Sequence, residues 1–154
     1  MNKRIFSAIL ALVLLIAVVP GYAYASNNLE SNGDVIYFKD GGYITISIEE
    51  LSARTSGTKT GRKTYTYKAS DGVVLWTAVQ TASFSYTGTS ATCTSASCSV
   101  TVSDKAWYEK SNVTTRSGNT ATTALAMGQK FLGITITTHN HTFTLTCDDN
   151  GNLS

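Results

Sequence analysis

Three features of this sequence predict an all-β fold. Beyond residue 25 the apolar residues recur with a period of two, and no stretch shows the 3.6-residue period of an amphipathic helix. Thr, Tyr and Val, which suit a pleated, half-buried surface, dominate the same region. Turn dipeptides such as Asp40-Gly41 and Asp71-Gly72 separate the alternating runs, and no Pro follows Pro20. Together these predict an antiparallel meander of about eight to ten strands. Such a chain must bury one face of each sheet and hide its edges, so it is expected to close as a sandwich or a barrel.

The first element precedes that fold. Lys3 and Arg4 lead into an apolar run over residues 5–19, broken only by Ser7 and stopped by Pro20-Gly21. Ala23-Tyr24-Ala25 follows, with small residues where a signal peptidase reads. This is the order of a secretory signal, expected as a helix. A membrane-spanning helix needs about 20 apolar residues, more than this run supplies. The expected organisation is a signal peptide over 1–25, cleaved between Ala25 and Ser26, and a single β domain over 26–154. The expected location is secreted and extracellular. The signal holds no Cys for a lipid anchor, and residues 150–154 are polar, so no membrane partner is expected after cleavage.

Lys3 and Arg4 account for the whole formal charge of +2, so the remaining chain is neutral. Global charge therefore offers no argument for a nucleic-acid partner.

The strands follow in order. Tyr43-Ile44-Thr45-Ile46-Ser47-Ile48 puts three Ile on one face. A single helical turn is possible over residues 48–54. Arg62 to Lys68 places Tyr65 and Tyr67 together. Between Val74 and Tyr86 one parity reads Val, Trp, Ala, Gln, Ala, Phe, Tyr, a core face interrupted by Gln80 alone. His139, His141, Phe143, Leu145 and Cys147 share one face of the last strand. Thr87-Gly88, Ser117-Gly118-Asn119 and Leu132-Gly133 supply further turns.

Residues 84–94, residues 117–122 and Phe131-Leu132-Gly133 resemble small secreted β-rich proteins of Gram-positive bacteria, a family of unknown function with a signal peptide. The resemblance implies a secreted bacterial β product. It rests on turn and strand chemistry, so it transfers no functional residue.

Three cysteines, Cys93, Cys98 and Cys147, leave one thiol over if two pair. On one extended strand Cys93 and Cys98 lie roughly 16 Å apart at 3.3 Å per residue. A long-range disulfide from Cys147 to Cys93, or to Cys98, is easier to build. Cys98 also shares strand parity with Val100 and Val102, as a buried thiol would.

Several constellations bear on chemistry. His139 and His141 at i and i+2 point the same way and form a weak metal-site candidate that lacks a third ligand. Cys98 with either His is the one conceivable nucleophile–base pair, and no Gly-x-Ser-x-Gly elbow exists. Glu49 and Glu50 are adjacent and face opposite ways on a strand, unlike a glycosidase pair. Residues 57–64 lack the second Gly of a phosphate loop and open a strand.

Arg54, Lys59, Arg62, Lys63 and Lys68 hold half of the cations beyond the signal, with no acid between Leu51 and Ser70. Beside Tyr65 and Tyr67 they suit an anionic cell-wall polymer or acidic glycan, or simply a solvated hairpin kept from aggregating. Trp107 and Tyr108 follow a polar turn, and one of them must face outward, a candidate platform for stacking on a sugar. With no catalytic residues and no cofactor indicated, the expected function is a non-enzymatic extracellular binding or surface-interaction protein. The alternative is a secreted toxin, bacteriocin or inhibitor acting on another protein or cell.

Overall fold

The computed structural model describes residues 35–51 and 57–154. The signal segment, its cleavage residues Ala23, Ala25 and Ser26, and Arg54 lie outside the described residues. The described chain is eight antiparallel strands in two sheets. Sheet one runs β1 (Val35–Tyr37), β2 (Tyr43–Glu50), β3 (Thr58–Lys68), β4 (Val74–Tyr86) and β5 (Ala91–Val102), each paired with the next. Sheet two runs β6 (Trp107–Ser117), β7 (Thr120–Phe131) and β8 (Ile134–Thr146). Every neighbour in the order is a neighbour in sequence, as the short turns predict. The helical turn expected over residues 48–54 does not begin there: Ile48, Glu49 and Glu50 continue β2 in register with Lys63, Arg62 and Gly61.

Of the two expected closures, the barrel is not formed. The layers pack face to face, with β6 lying beside β5, β7 over β4 and β8 over β3. Asn112 of β6 donates to the Cys98 carbonyl of β5 (3.0 Å). Gln80 of β4 donates to the Ala121 carbonyl and Thr123 Oγ1 of β7 (both 3.1 Å). Tyr65 of β3 donates to the Thr144 carbonyl of β8 (3.1 Å). Five strands thus face three, and the inner face of β1 and β2 is only partly covered: Ile44 is fully buried in the core, while Ile36 and Ile46 are half-buried against it.

Between the layers lies an aromatic core. Tyr65 stacks on Phe143 with ring centroids 3.8 Å apart, and Tyr67 stacks on Trp76 at 5.2 Å while meeting Trp107 edge-on at 5.3 Å. Ile44, Leu125 and Met127 complete this cluster. A second cluster at the other end joins Ala82, Phe84, Cys93, Ala121, Leu145 and Cys147. The stripe read on β4 is buried from Trp76 to Phe84, and its one polar member, Gln80, is the pin that donates across to β7.

The expected disulfide is absent: all three thiols are free. Cys93 and Cys98 pair with Phe84 and Gln80 along one strand, too far apart for the roughly 5.5 Å Cα spacing a bridge needs. Cys93 donates its N–H to the Gly118 carbonyl, and Cys147 donates to the Asn119 carbonyl. Both thus bond the β6–β7 turn, Cys93 from the β5 side and Cys147 from the β8 side, and both side chains join the second core cluster. Burial raises all three thiols above the ordinary cysteine pKa.

Candidate functional site

The partly covered inner face of β1 and β2 lines a concavity. It is an open cleft of about 640 Å³, with β8 as its opposite wall. Ile36, Phe38, Ile44 and Ile46 line one side, and Tyr65 and Phe143 the depth. Its volume falls in the ordinary range for small-molecule sites, about 300–1,000 Å³.

The β1–β2 turn carries the cleft's first polar group. Asp40 Oδ1 accepts from the Gly42 N–H (3.0 Å), which fixes the turn, leaving Oδ2 to face inward. There it accepts from the Tyr67 hydroxyl (2.9 Å) and lies 3.7 Å from His139 Nε2. Burial, with Asp40 adding to it, pushes the Tyr67 hydroxyl well above the usual tyrosine range, so it remains a donor.

His139 and His141 both face inward, as strand parity predicts. Their ring centroids are 6.2 Å apart. His141 is wedged among Trp76 (5.3 Å), Phe38 (5.5 Å) and Phe143 (5.7 Å, nearly parallel). Its Nε2 is buried without a hydrogen-bond partner. Desolvation first, and His139 second, lower its pKa to about 4. A neutral imidazole with that pKa is a poor general base near neutral pH. It acts here as an aromatic wall. Among the described residues no three His, Cys, Asp or Glu side chains come together as a metal site.

The cationic strip is divided by what each side chain meets. Lys59 Nζ lies 3.1 Å from Glu50 Oε2, and Arg62 Nη1 lies 3.6 Å from Glu49 Oε2, so β2 supplies the acids missing from residues 52–69. Lys68 sits over the Tyr43 ring at 5.8 Å. Lys63 differs from these. Like Lys59 it shares the inward parity of Tyr65 and Tyr67, but Lys63 lines the cleft. Burial lowers its pKa, and among the described residues no carboxylate stands within ion-pair distance of it.

Trp107 and Tyr108 do not make a two-ring platform, because neighbours on a strand face opposite ways. Trp107 is inside, 6% exposed. Tyr108 faces outward, and its ring lies under the Lys130 ammonium at 4.2 Å.

The structure thus brings together His139, His141 and Lys63 from separate sequence candidates and adds Asp40, Phe38 and Phe143. Asp40 reads from sequence only as a turn residue. Lys63 carries a usable signal, its parity with two tyrosines. Neither a protein-family model, nor a curated protein, nor a solved structure matches the chain.

Proposed function

We propose that this is a secreted, non-enzymatic binding protein whose ligand is a small amphiphilic anion. The location rests on the N-terminal order of charged, apolar and small residues. The observation that carries the ligand class is Lys63, a half-buried ammonium beside the cleft's apolar wall, with no carboxylate paired to it among the described residues, Asp40 of the same cleft being engaged by Tyr67 and His139. A desolvated cation is costly, and a ligand that brings its own carboxylate or phosphate offsets that cost. The ligand's apolar body would lie against Ile36, Ile46, Tyr65 and Phe143. This reading favours a small molecule over an extended polymer, since Lys59 and Arg62 already face acids.

Calorimetric titration with medium-chain and aromatic carboxylates, and with the matching alcohols, tests it. Carboxylates are expected to bind more tightly than the alcohols. Lys63→Gln should weaken carboxylate binding by about tenfold, ~1.4 kcal/mol, and leave the alcohols unchanged. If neither class binds, or if Lys63→Gln weakens both equally, the anion-binding role of Lys63 is wrong.

A further inference from the structure

The β7–β8 hairpin ends in a cluster of large apolar side chains that nothing in the described fold covers. Phe131 is 63% exposed, Leu132 87%, Ile134 70% and Ile136 58%. Single exposed apolar residues are ordinary, but four on one hairpin tip are not.

Two features of the backbone present them. Phe131 pairs with Ile134, so Leu132 and Gly133 form a two-residue turn with φ of 51° and 81°. Such a turn favours Asn-Gly or Gly-Gly, because a branched side chain is strained at positive φ. Leu132 is the one non-glycine residue with positive φ among the described residues. A strained leucine at the most exposed point of the fold is retained at a cost, which points to a use for its side chain. Secondly, the register shifts between Gln129 and Lys130, leaving Ile136 as the extra residue of a bulge. A bulge re-aims the side chains beside it.

The hairpin also projects. β6 begins at Trp107, opposite Gln129, so Phe131 to Ile134 extend past the neighbouring strand. A convex apolar tip does not provide a groove for a peptide or a flat face for a second subunit. It fits a fluid apolar phase.

The surroundings of the tip hold two cations, Lys130 and Lys105, against one acid, Asp104, beside Lys105. Neither β7 nor β8 contains an acid, and Lys130 is their one cation. Lys130 is held at the base of the tip, its N–H on the Ala106 carbonyl (2.7 Å) and its ammonium over Tyr108. Tyr108 is tied to the hairpin through Thr135 Oγ1 (2.8 Å). Lys105, exposed, is next to Ala106. Lys130 stands two residues behind Leu132, roughly 7 Å at the rise of a strand. That matches the depth of about 5–10 Å to which interfacial elements enter a bilayer, with Lys and Tyr at headgroup level.

We propose that the β7–β8 tip inserts into the headgroup–acyl boundary of a bilayer containing anionic lipid, with Leu132 leading and Lys130 and Lys105 meeting the headgroups. The linear sequence suggests no such partner for the mature chain, because the strand pattern alone does not show that these residues lack cover. The proposal uses none of the cleft residues and stands apart from the ligand reading.

The test is vesicle flotation with the chain from Ser26 onward, which carries all eight strands, so that the apolar segment at 5–19 contributes nothing. Vesicles of phosphatidylcholine alone are compared with equimolar phosphatidylcholine and phosphatidylglycerol. Binding is expected on the anionic vesicles and reduced on the neutral ones. Leu132→Asn should cut it by about tenfold or more. Asn tolerates positive φ, so this variant should melt no lower than the parent, which separates lost binding from lost folding. Absence of the parent from both vesicle types overturns the proposal, as does binding that Leu132→Asn leaves unchanged. Light scattering provides the remaining arm: a dimer of the parent that Leu132→Asn dissolves would mean that the tip packs on a second copy, not on lipid.

Discussion

At the scale of single residues, the polar groups inside the layers decide how the protein responds to pH. His141 titrates near pH 4 in the folded chain against an ordinary value of 6.5. Between those values the unfolded chain binds the proton more readily, so stability is fully present above about pH 6.5 and is lost as pH falls towards 4. The loss from this one group is about 3 kcal/mol at most. His141→Phe should flatten that slope. It should also raise stability near pH 7 by about 1 kcal/mol, because a buried nitrogen without a partner is replaced by a ring that can stack on Phe143. Urea midpoints of both proteins between pH 4 and 7.5 check this; equal slopes would show that His141 is not the group responsible. Strand parity places His139, His141 and Lys63 on inward faces from the sequence alone. Parity does not disclose that Asp40 reaches Tyr67, 27 positions on, and His139, about a hundred positions on, since both contacts cross between elements.

At the scale of elements, the turns at Asp40-Gly41, Asp71-Gly72, Thr87-Gly88, Gly118-Asn119 and Leu132-Gly133 fall where the sequence places them, and the Leu132-Gly133 turn is the informative one. Its backbone asks for Asn or Gly, and the chain supplies Leu. Leu132→Asn is therefore expected to stabilise the fold by about 0.5–1 kcal/mol, read as a higher urea midpoint with an unchanged slope. The neighbouring β6–β7 pair shows the opposite case. Gly128 leaves room for the Tyr108 ring, and a Cβ there would overlap it. Gly128→Ala should displace Tyr108 and release both Lys130 and Thr135 from it, costing about 1–3 kcal/mol. A thermal melt that does not move would mean that Tyr108 can turn aside freely. The strip from Arg54 to Lys68 reads in one dimension as a basic patch. Pairing β3 with β2 sets Glu49 and Glu50 beside Arg62 and Lys59, and the alternation of the strand sends Lys63 inward.

At the scale of the molecule, two sheets of unequal width are held by stacked rings and by Gln80. Gln80→Leu removes the donor to the Ala121 carbonyl and Thr123, and should destabilise by about 1–3 kcal/mol despite its greater hydrophobicity. Chemical denaturation measures this, and a stabilised variant would show that the cross-sheet bonds are worth less than burial. Free thiols are the second expectation at this scale. Alkylation of the denatured, non-reduced chain should modify all three cysteines. A species with only one modified cysteine would show a bridge and overturn the free-thiol state.

The fold class, the turns and the inward faces were determined by the sequence alone. Alternation, turn residues and strand propensity are local properties, and an antiparallel meander adds only pairings between neighbours in the chain. The tertiary structure decided three further matters. It decided that the strands divide five to three, which leaves the inner face of β1 and β2 only partly covered and opens the cleft. It decided that Lys63 faces that cleft unpaired by any described acid while Lys59 and Arg62 do not. It decided that Phe131, Leu132, Ile134 and Ile136 find no cover. Each depends on which surface meets which across the layers, and no period within a strand encodes that.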